Sequence, residues 1–97
     1  MRVISKTILR KFWEKHKDSE QQLKAWHKEA TKAKWSNPSD LKAEYPKASI
    51  LKNGRVVFDI CRNSYRLVVK IHFNRKSIYI RFIGTHNEYD KINANII

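Results

Sequence analysis

Residues 65–73 read Tyr65-Arg66-Leu67-Val68-Val69-Lys70-Ile71-His72-Phe73. Every odd-numbered position in this stretch is apolar, and three of the four even-numbered positions are cationic or ionisable. Successive side chains of a β-strand point to opposite faces, so the pattern predicts a strand with one face toward a core. Arg66, Lys70 and His72 then share the other face.

Two neighbouring stretches show the same alternation. Residues 55–61 place Val56, Phe58 and Ile60 on one side, and a turn at 62–64 leads into the strand at 65–73. A second turn at 74–76 leads into residues 77–83, whose two sides are Ile78, Ile80 and Phe82 against Tyr79, Arg81 and Ile83. Two such hairpins predict an antiparallel sheet with one apolar face.

The first half of the chain has helical spacing instead. Residues 6–16 repeat apolar side chains at the spacing of one buried stripe, namely Ile8, Leu9, Phe12 and Trp13. Ser19 stands three residues before Gln22, a capping-box pattern that predicts the start of a second helix. That helix has its own apolar stripe: Leu23, Trp26, Ala30 and Ala33. Asn37-Pro38 and Tyr45-Pro46 mark breaks, and Ser39 between them is predicted to cap a single helical turn.

These elements predict an α+β fold, with N-terminal helices packed on one face of a small antiparallel β-sheet and a short C-terminal helix after it. A length of 97 residues predicts one domain, residues 1–97. Packing is the favoured role of the three tryptophans, although Trp35 is open to a second interpretation as an exposed platform that stacks on a base or a partner.

Composition predicts the kind of partner. Twenty-one Lys and Arg against nine Asp and Glu give a formal net charge of +12. The single cysteine, Cys61, excludes an internal disulfide framework and fits a reducing compartment. No stretch has the apolar length of a signal peptide or a membrane span. We therefore expect a cytoplasmic protein without membrane contact whose partner is a polyanion, and nucleic acid is the foremost polyanion.

The cationic strand face is the first candidate site. Arg66, Lys70 and His72 share it, Arg81 is predicted to join them from the next strand, and Tyr79 lies beside them. Two interpretations are open: an ordinary solvated sheet face, or a phosphate-binding surface. The absence of acidic residues from this run favours phosphate binding.

The second candidate site is the start of the predicted C-terminal helix. Thr85 and Glu88 have capping-box spacing, which places His86 in the first turn and assigns Glu88 to the cap. His86 there has three possible roles: to donate a proton to a leaving oxygen, to bind a phosphate, or to have no task. The four histidines are scattered and only one cysteine is present, so the sequence predicts no metal site and no cofactor.

Several segments, in order along the whole chain, resemble the HigB toxin family. They are Met1-Arg2-Val3-Ile4-Ser5, Trp26, Ala33-Lys34-Trp35, Tyr45-Pro46-Lys47-Ala48, Val57-Phe58-Asp59-Ile60, Asn63-Ser64-Tyr65-Arg66-Leu67 and Thr85-His86-Asn87-Glu88-Tyr89-Asp90-Lys91-Ile92. The resemblance implies a RelE-like fold and a type II toxin–antitoxin system. It also implies a ribosome-dependent, metal-independent endoribonuclease that cleaves translated mRNA. The partner it implies is an adjacently encoded, HigA-like antitoxin with a helix-turn-helix domain, through which operator DNA is contacted.

The resemblance also implies roles for individual residues. Arg66 matches an arginine that the superfamily uses on the scissile phosphate, and His86 falls where relatives place a general acid or a phosphate-binding cation. Tyr89 lies near a C-terminal tyrosine that some relatives use. The predicted catalytic set is Arg66, His86 and, as a second charge-stabilising cation, Arg81. The predicted RNA-binding set is Lys70, His72, Tyr79 and Tyr89.

The general base is the part of the implied site that stays open. Some relatives carry a basic pair on the strand before the Tyr-Arg-Leu segment, where this chain has Val57 and Asp59. Lys70, His72 and Glu88 are the candidates for the base. The alternative function is a non-catalytic basic module that binds RNA or the ribosome, since both functions need a phosphate-neutralising surface.

Overall fold

A computed structural model describes residues 1–97. In chain order the elements are β1 (Arg2–Ile4), α1 (Lys6–Lys15), α2 (Glu20–Lys32), α3 (Pro38–Glu44), β2 (Ser49–Ile50), β3 (Arg55–Ile60), β4 (Tyr65–His72), β5 (Ser77–Thr85) and α4 (His86–Asp90). Short 3-10 turns at Lys17–Ser19 and Lys52–Gly54 precede α2 and β3. The predicted α+β class is confirmed. No helix is both long enough and apolar enough to cross a membrane.

The sheet has five strands in the order β1-β5-β4-β3-β2. The hairpins β3–β4 and β4–β5 are antiparallel, as predicted, and β2 adds an antiparallel edge beside Val56 and Val57. The expectation of a purely antiparallel sheet is wrong at the other edge, where β1 pairs in parallel with β5. Three residues are too few to show a period, and parallel pairing joins segments far apart in sequence.

The N-terminal helices bury their apolar stripes in one main core with β3, β4 and β5. Leu9, Leu23 and Leu41 from the three helices are fully buried there. Trp26 meets Phe58 edge to face at 5.4 Å between ring centroids, which ties α2 to the sheet. Trp35 is also buried, so packing is its role and the exposed platform is excluded.

Helix α2 begins directly after Ser19, as predicted, but the predicted side-chain caps of α2 and α3 are wrong. The Ser19 hydroxyl donates to the carbonyl of His16 at 2.7 Å instead of capping α2, and the Gln22 side-chain oxygen accepts from the backbone N–H of Cys61 at 2.6 Å. In α3 the cap is Asn37, whose side-chain oxygen accepts from the Asp40 N–H at 3.0 Å, and Ser39 lies inside the helix. Pro38 at the first position of α3 suits the fixed backbone angle of proline, and the helix runs for seven residues instead of one turn.

A β-bulge changes the faces of β5. Val68 pairs with Phe82 and Val69 with Ile80, so Arg81 is the extra residue on the bulged strand. The extra residue reverses the alternation that follows it: Ile83 packs against the main core, and Phe82 turns to the opposite side of the sheet. The predicted faces of Phe82 and Ile83 are therefore wrong.

The C-terminal segment covers part of the outer sheet face, a feature that was not predicted. Ala94 is buried against Val57 and Val68, and further apolar side chains surround this small cluster: Leu51, Phe82, Tyr89 and Ile97. The Arg55 Nε–H donates to the Ile97 carbonyl at 2.8 Å and fastens the end of the segment to β3. The outer face of the sheet thus has an apolar centre, and polar residues lie toward both of its ends.

Candidate nucleic-acid interface

Arg66, Lys70 and His72 lie on the outer face of β4, as predicted. Each is half-buried, and they alternate with core residues such as Leu67 and Ile71. Val68 lies between Arg66 and Lys70 and is covered by the C-terminal segment. At about 3.3 Å per residue, Arg66 and Lys70 are roughly 13 Å apart along the strand. The predicted single cationic cluster is therefore two separate groups.

Arg66 is held on three sides. Its Nε lies 3.3 Å from the Asp59 carboxylate, directly across the β3–β4 pair. Its Nη1 donates to the Asn63 carbonyl at 3.1 Å, and its guanidinium carbon lies 5.9 Å from the ring centre of Tyr89. Only 14% of the side chain is exposed, so these contacts give the guanidinium a fixed orientation.

His86 is brought to the same end of the sheet by the turn between β3 and β4. Its backbone N–H donates to the Ser64 carbonyl at 3.1 Å, while the neighbouring Asn63 carbonyl accepts from Arg66. The His86 side chain is half exposed, and its Nδ1 lies 3.2 Å from the Asp90 carboxylate one helical turn later. We call the group Asp59, Arg66, His86 and Tyr89 the Arg66 end.

The predicted capping box at Thr85 is confirmed in both halves. The Glu88 N–H donates to the Thr85 hydroxyl at 3.2 Å, and the Thr85 N–H donates to the Glu88 carboxylate at 2.8 Å. These hydrogen bonds hold the pKa of Glu88 below its ordinary value. A carboxylate stabilised in this way is a poor proton acceptor, so the geometry favours the cap over the general base for Glu88.

Lys70 and His72 form a second group at the other end of the outer face, the Lys70 end, together with Tyr79 and Arg75. Lys70 pairs with Tyr79 across β4 and β5, and the His72 ring meets Tyr79 edge to face at 5.4 Å. An open depression of about 500 Å³ is lined by Lys70, His72 and Arg75. The sequence has no acidic residue between Asp59 and Glu88, so the carboxylates of the sheet half lie outside this group.

Gly54 allows the close approach that forms one wall of the same depression. Its φ is +76°, in the left-handed region, and a Cβ there would lie 2.6 Å from the Ile71 carbonyl oxygen. A larger residue would push the 3-10 turn away from β4.

Arg81 belongs to neither group by strand pairing. The register places Gly84 opposite Arg66 and Tyr79 opposite Lys70. The Arg81 side chain is exposed and makes no hydrogen bond or ion pair. The predicted cross-strand contact of Arg81 with the cationic cluster is therefore wrong, because the bulge at this residue removes it from the regular ladder.

With this geometry in place, comparison with known proteins identifies the family. The family model described as HigB_toxin, RelE-like toxic component of a toxin–antitoxin system, matches residues 19–92. The mRNA interferase toxin HigB of Escherichia coli K12 is 30% identical over 96 residues, which cover 97% of this chain and 92% of the relative. The chain belongs to the HigB toxin family. The predicted family is confirmed, and with it the assignment to a toxin–antitoxin system.

Two further relatives extend the same match. The mRNA interferase HigB of Shigella flexneri is also 30% identical, over the same share of both chains. That of Escherichia coli O6:H1 is 26% identical over 94 residues, 95% of this chain and 91% of the relative. The family match includes both the Arg66 end and the Lys70 end of this HigB family member.

Asp59 is the residue of the Arg66 end that sequence reasoning overlooked as a contributor. It was noted only because it replaces a basic residue of some relatives. A hairpin whose closing pair is Ile60 and Tyr65 necessarily places Asp59 opposite Arg66. The turn predicted at 62–64 would instead pair Cys61 with Tyr65 and place Leu67 opposite Asp59, so the contact depends on the four-residue turn that the structure shows.

Proposed function

We propose that this chain is the endoribonuclease of a type II toxin–antitoxin system and that it cleaves mRNA during translation, with the Arg66 end as its catalytic centre. The observation that supports this most directly is that Arg66 and His86 are tied to adjacent carbonyls of one turn, Asn63 and Ser64. Asp59 and Asn63 hold the Arg66 guanidinium through Nε and Nη1, and its Nη2 makes no hydrogen bond within the protein.

The chemistry that suits these groups needs only the RNA and protein side chains. The 2′-oxygen of one nucleotide attacks the adjacent phosphorus, its proton is lost, and the bond from phosphorus to the 5′-oxygen breaks. A 2′,3′-cyclic phosphate and a 5′-hydroxyl result, so the leaving oxygen must gain a proton. In this scheme Arg66 stabilises the extra charge on the phosphoryl oxygens, and His86 donates the proton.

Asp59 acts through Arg66 in this proposal. The carboxylate orients the guanidinium from across the strand pair, which makes Asp59 a positioning residue. Arg81 is exposed at the β-bulge, outside the regular strand pairing. We propose it as the second cation, which would contact the substrate from this position.

The Lys70 end is proposed to hold nucleotides that flank the cleaved bond. Lys70 supplies a charge for a phosphate, and the rings of His72 and Tyr79 provide surfaces on which a base can stack. Since Lys70 lies about 13 Å and His72 about 20 Å from Arg66 along β4, binding there is compatible with cleavage at the other end. Tyr89 is proposed to contact RNA beside Arg66.

The remaining positive charge suits the ribosome. Exposed lysines lie along the two long helices: Lys6, Lys11, Lys15, Lys24, Lys28 and Lys32. Such a surface binds a polyanion in a salt-dependent manner. We propose that it docks on ribosomal RNA, which would place the Arg66 end against mRNA under translation in the cytoplasm.

The proposed partner is a HigA-like antitoxin with a helix-turn-helix domain, encoded beside this chain. In this arrangement the antitoxin contacts operator DNA, and the toxin reaches that DNA only through it.

Cleavage of a translated mRNA in a ribosome-containing extract tests the function. We expect defined cuts that leave a 2′,3′-cyclic phosphate and a 5′-hydroxyl and that disappear when ribosomes are omitted. Binding to ribosomes without any cut would instead establish the non-catalytic module. Cuts that leave a 5′-phosphate would contradict the metal-independent scheme, and cleavage of free RNA at the same rate would contradict ribosome dependence.

A further inference from the structure

A groove of about 830 Å³ opens between α2, the loop that follows α3, and β3. Its wall is aromatic: Trp26, Tyr45 and Phe58 line it, and Phe58 meets the other two rings edge to face at 5.4 and 5.1 Å. Ala25 on α2 is an exposed member of the lining. The RNA chemistry proposed above uses none of these four residues.

The groove follows a strand edge that has no neighbour. The edge strand β2 pairs only with Val56 and Val57, while β3 continues to Ile60. Phe58, Asp59 and Ile60 all line the groove. An extended segment of another chain can add to such an edge through main-chain hydrogen bonds.

The polar groups of the groove differ from the rest of this basic chain. Three of the nine acidic residues line it, Glu29, Glu44 and Asp59, against two basic residues, Lys47 and Arg62. The pKa of Tyr45 is raised by burial and by its hydrogen bond to Glu29. Asp59 is paired with Arg66, whereas Glu29 and Glu44 bring two further carboxylates to the groove of a chain of net charge +12, which suits a segment that carries a positive side chain.

Trp26, part of the aromatic wall, carries a buried donor without a partner. The residue is 3% exposed, and its Nε1–H makes no hydrogen bond. A buried donor of this kind is costly to leave unpaired.

We propose that this groove binds an extended segment of the antitoxin, with an apolar side chain against the aromatic wall and a cationic side chain at Glu29 and Glu44. The identity of the partner rests on the proposed function, whereas the groove itself does not. Asp59 and Asn63 belong to the groove lining and are also the polar contacts of Arg66. A segment seated here therefore lies against the Arg66 end and blocks the approach of RNA.

The test fills the groove with a larger side chain and measures neutralisation. In Ala25→Trp an indole occupies the exposed lining position of α2, and Gln21→Trp places the same indole on an exposed turn of α2 outside the lining. Each variant and the parent are co-expressed with the helix-turn-helix protein encoded beside this chain, tagged for purification. Affinity of the purified pair and growth of the culture are the two readouts.

We expect Ala25→Trp to bind the tagged antitoxin at least about tenfold more weakly and to arrest growth in its presence, while Gln21→Trp stays neutralised. Glu29→Gln, which keeps an acceptor for the Tyr45 hydroxyl, should also weaken binding, and Glu14→Gln on α1 should not. Parental affinity of Ala25→Trp, or no binding of the parent chain, would overturn the docking site. Failure of the proposed function is visible separately, as a parent chain that neither arrests growth nor cleaves mRNA without the antitoxin.

Discussion

The ring of Tyr89 joins Arg66 to the apolar centre of the outer face. The Arg66 guanidinium carbon lies 5.9 Å from the centre of that ring, and the ring itself lies 6.4 Å from the ring of Phe82. Phe82 in turn belongs to the cluster that the C-terminal segment covers. Helix α4 and the C-terminal segment thus fix the orientation of the arginine as well as closing the sheet.

Two replacements of Tyr89 distinguish the contact of its ring with Arg66 from a direct role of its hydroxyl in the reaction. We expect Tyr89→Phe to cleave within about twofold of the parent, because the ring face that attracts the cation is retained. Tyr89→Ala should lose about two- to fivefold, from an exposed cation–π contact of about 0.5–1 kcal/mol, and more if the ring also stacks on RNA. Single-turnover cleavage on programmed ribosomes gives the comparison. Equal losses in both variants would show that the hydroxyl itself reacts or binds.

Removal of Arg66 tests the charge-stabilising role. Arg66→Ala should slow cleavage by about 10²–10³, the range found for oriented donors to a developing negative charge. Its free energy of unfolding should change by no more than about 1 kcal/mol, because the partner Asp59 stays solvated. Arg2 is an exposed arginine on β1, distant in sequence from Arg66, so Arg2→Ala is the matched control for the change in net charge. Full growth arrest by Arg66→Ala would show that Arg66 is not part of the catalytic centre.

The Lys70 end should contribute to binding without affecting the chemical step. For single-stranded RNA each neutralised phosphate adds about 0.7 to the slope of log affinity against log salt, so Lys70→Ala should lower that slope by about 0.7. The measurement is a salt titration with a 2′-deoxy-blocked oligonucleotide. Cleavage at saturating RNA should be unchanged, because Lys70 is remote from Arg66. Lys34→Ala, outside both groups, should leave the slope as it is.

What the sequence predicted well was local. The faces of β4 follow from a two-residue period within one strand, and the capping box needs only Thr85 and Glu88. The hairpin of β3 with β4 also follows from neighbouring segments, but the predicted turn at 62–64 is one residue too short for the register that sets Asp59 opposite Arg66.

What failed depends on contacts between distant segments. The bulge at Arg81 is fixed by how β5 pairs with β4, and no composition signal marks the extra residue. The sequence pattern predicts Gln22 as part of the α2 cap, but its side-chain oxygen accepts a hydrogen bond from the backbone N–H of Cys61, 39 residues later. The packing of Ala94 against Val57 and Val68 likewise depends on two strands of the assembled sheet, so the sequence near Ala94 does not predict it.

The cap at Glu88 makes α4 sensitive to acid. Because the folded protein lowers the pKa of Glu88, its ionised form adds stability above the ordinary value of 4.5, and this stability is lost as the pH falls through the lower folded value. Glu88→Gln keeps a hydrogen-bond acceptor but cannot titrate. Urea unfolding at pH 7 should show a higher free energy of unfolding for the parent than for Glu88→Gln. This difference should become smaller by pH 3. The same difference in unfolding free energy between the parent and Glu88→Gln at pH 7 and at pH 3 would contradict the prediction.

A sulfur-substituted substrate distinguishes the two chemical roles open to His86. If His86 protonates the leaving 5′-oxygen, His86→Ala should slow cleavage of ordinary mRNA by about 10²–10⁴. Replacing that bridging oxygen with sulfur gives a leaving group whose anion is far more stable and departs without a proton, so the variant should then approach the parent rate. A residue that only binds the phosphate would show the same loss on both substrates. Asn87→Ala, the exposed neighbour in α4, serves as the control and should match the parent on each.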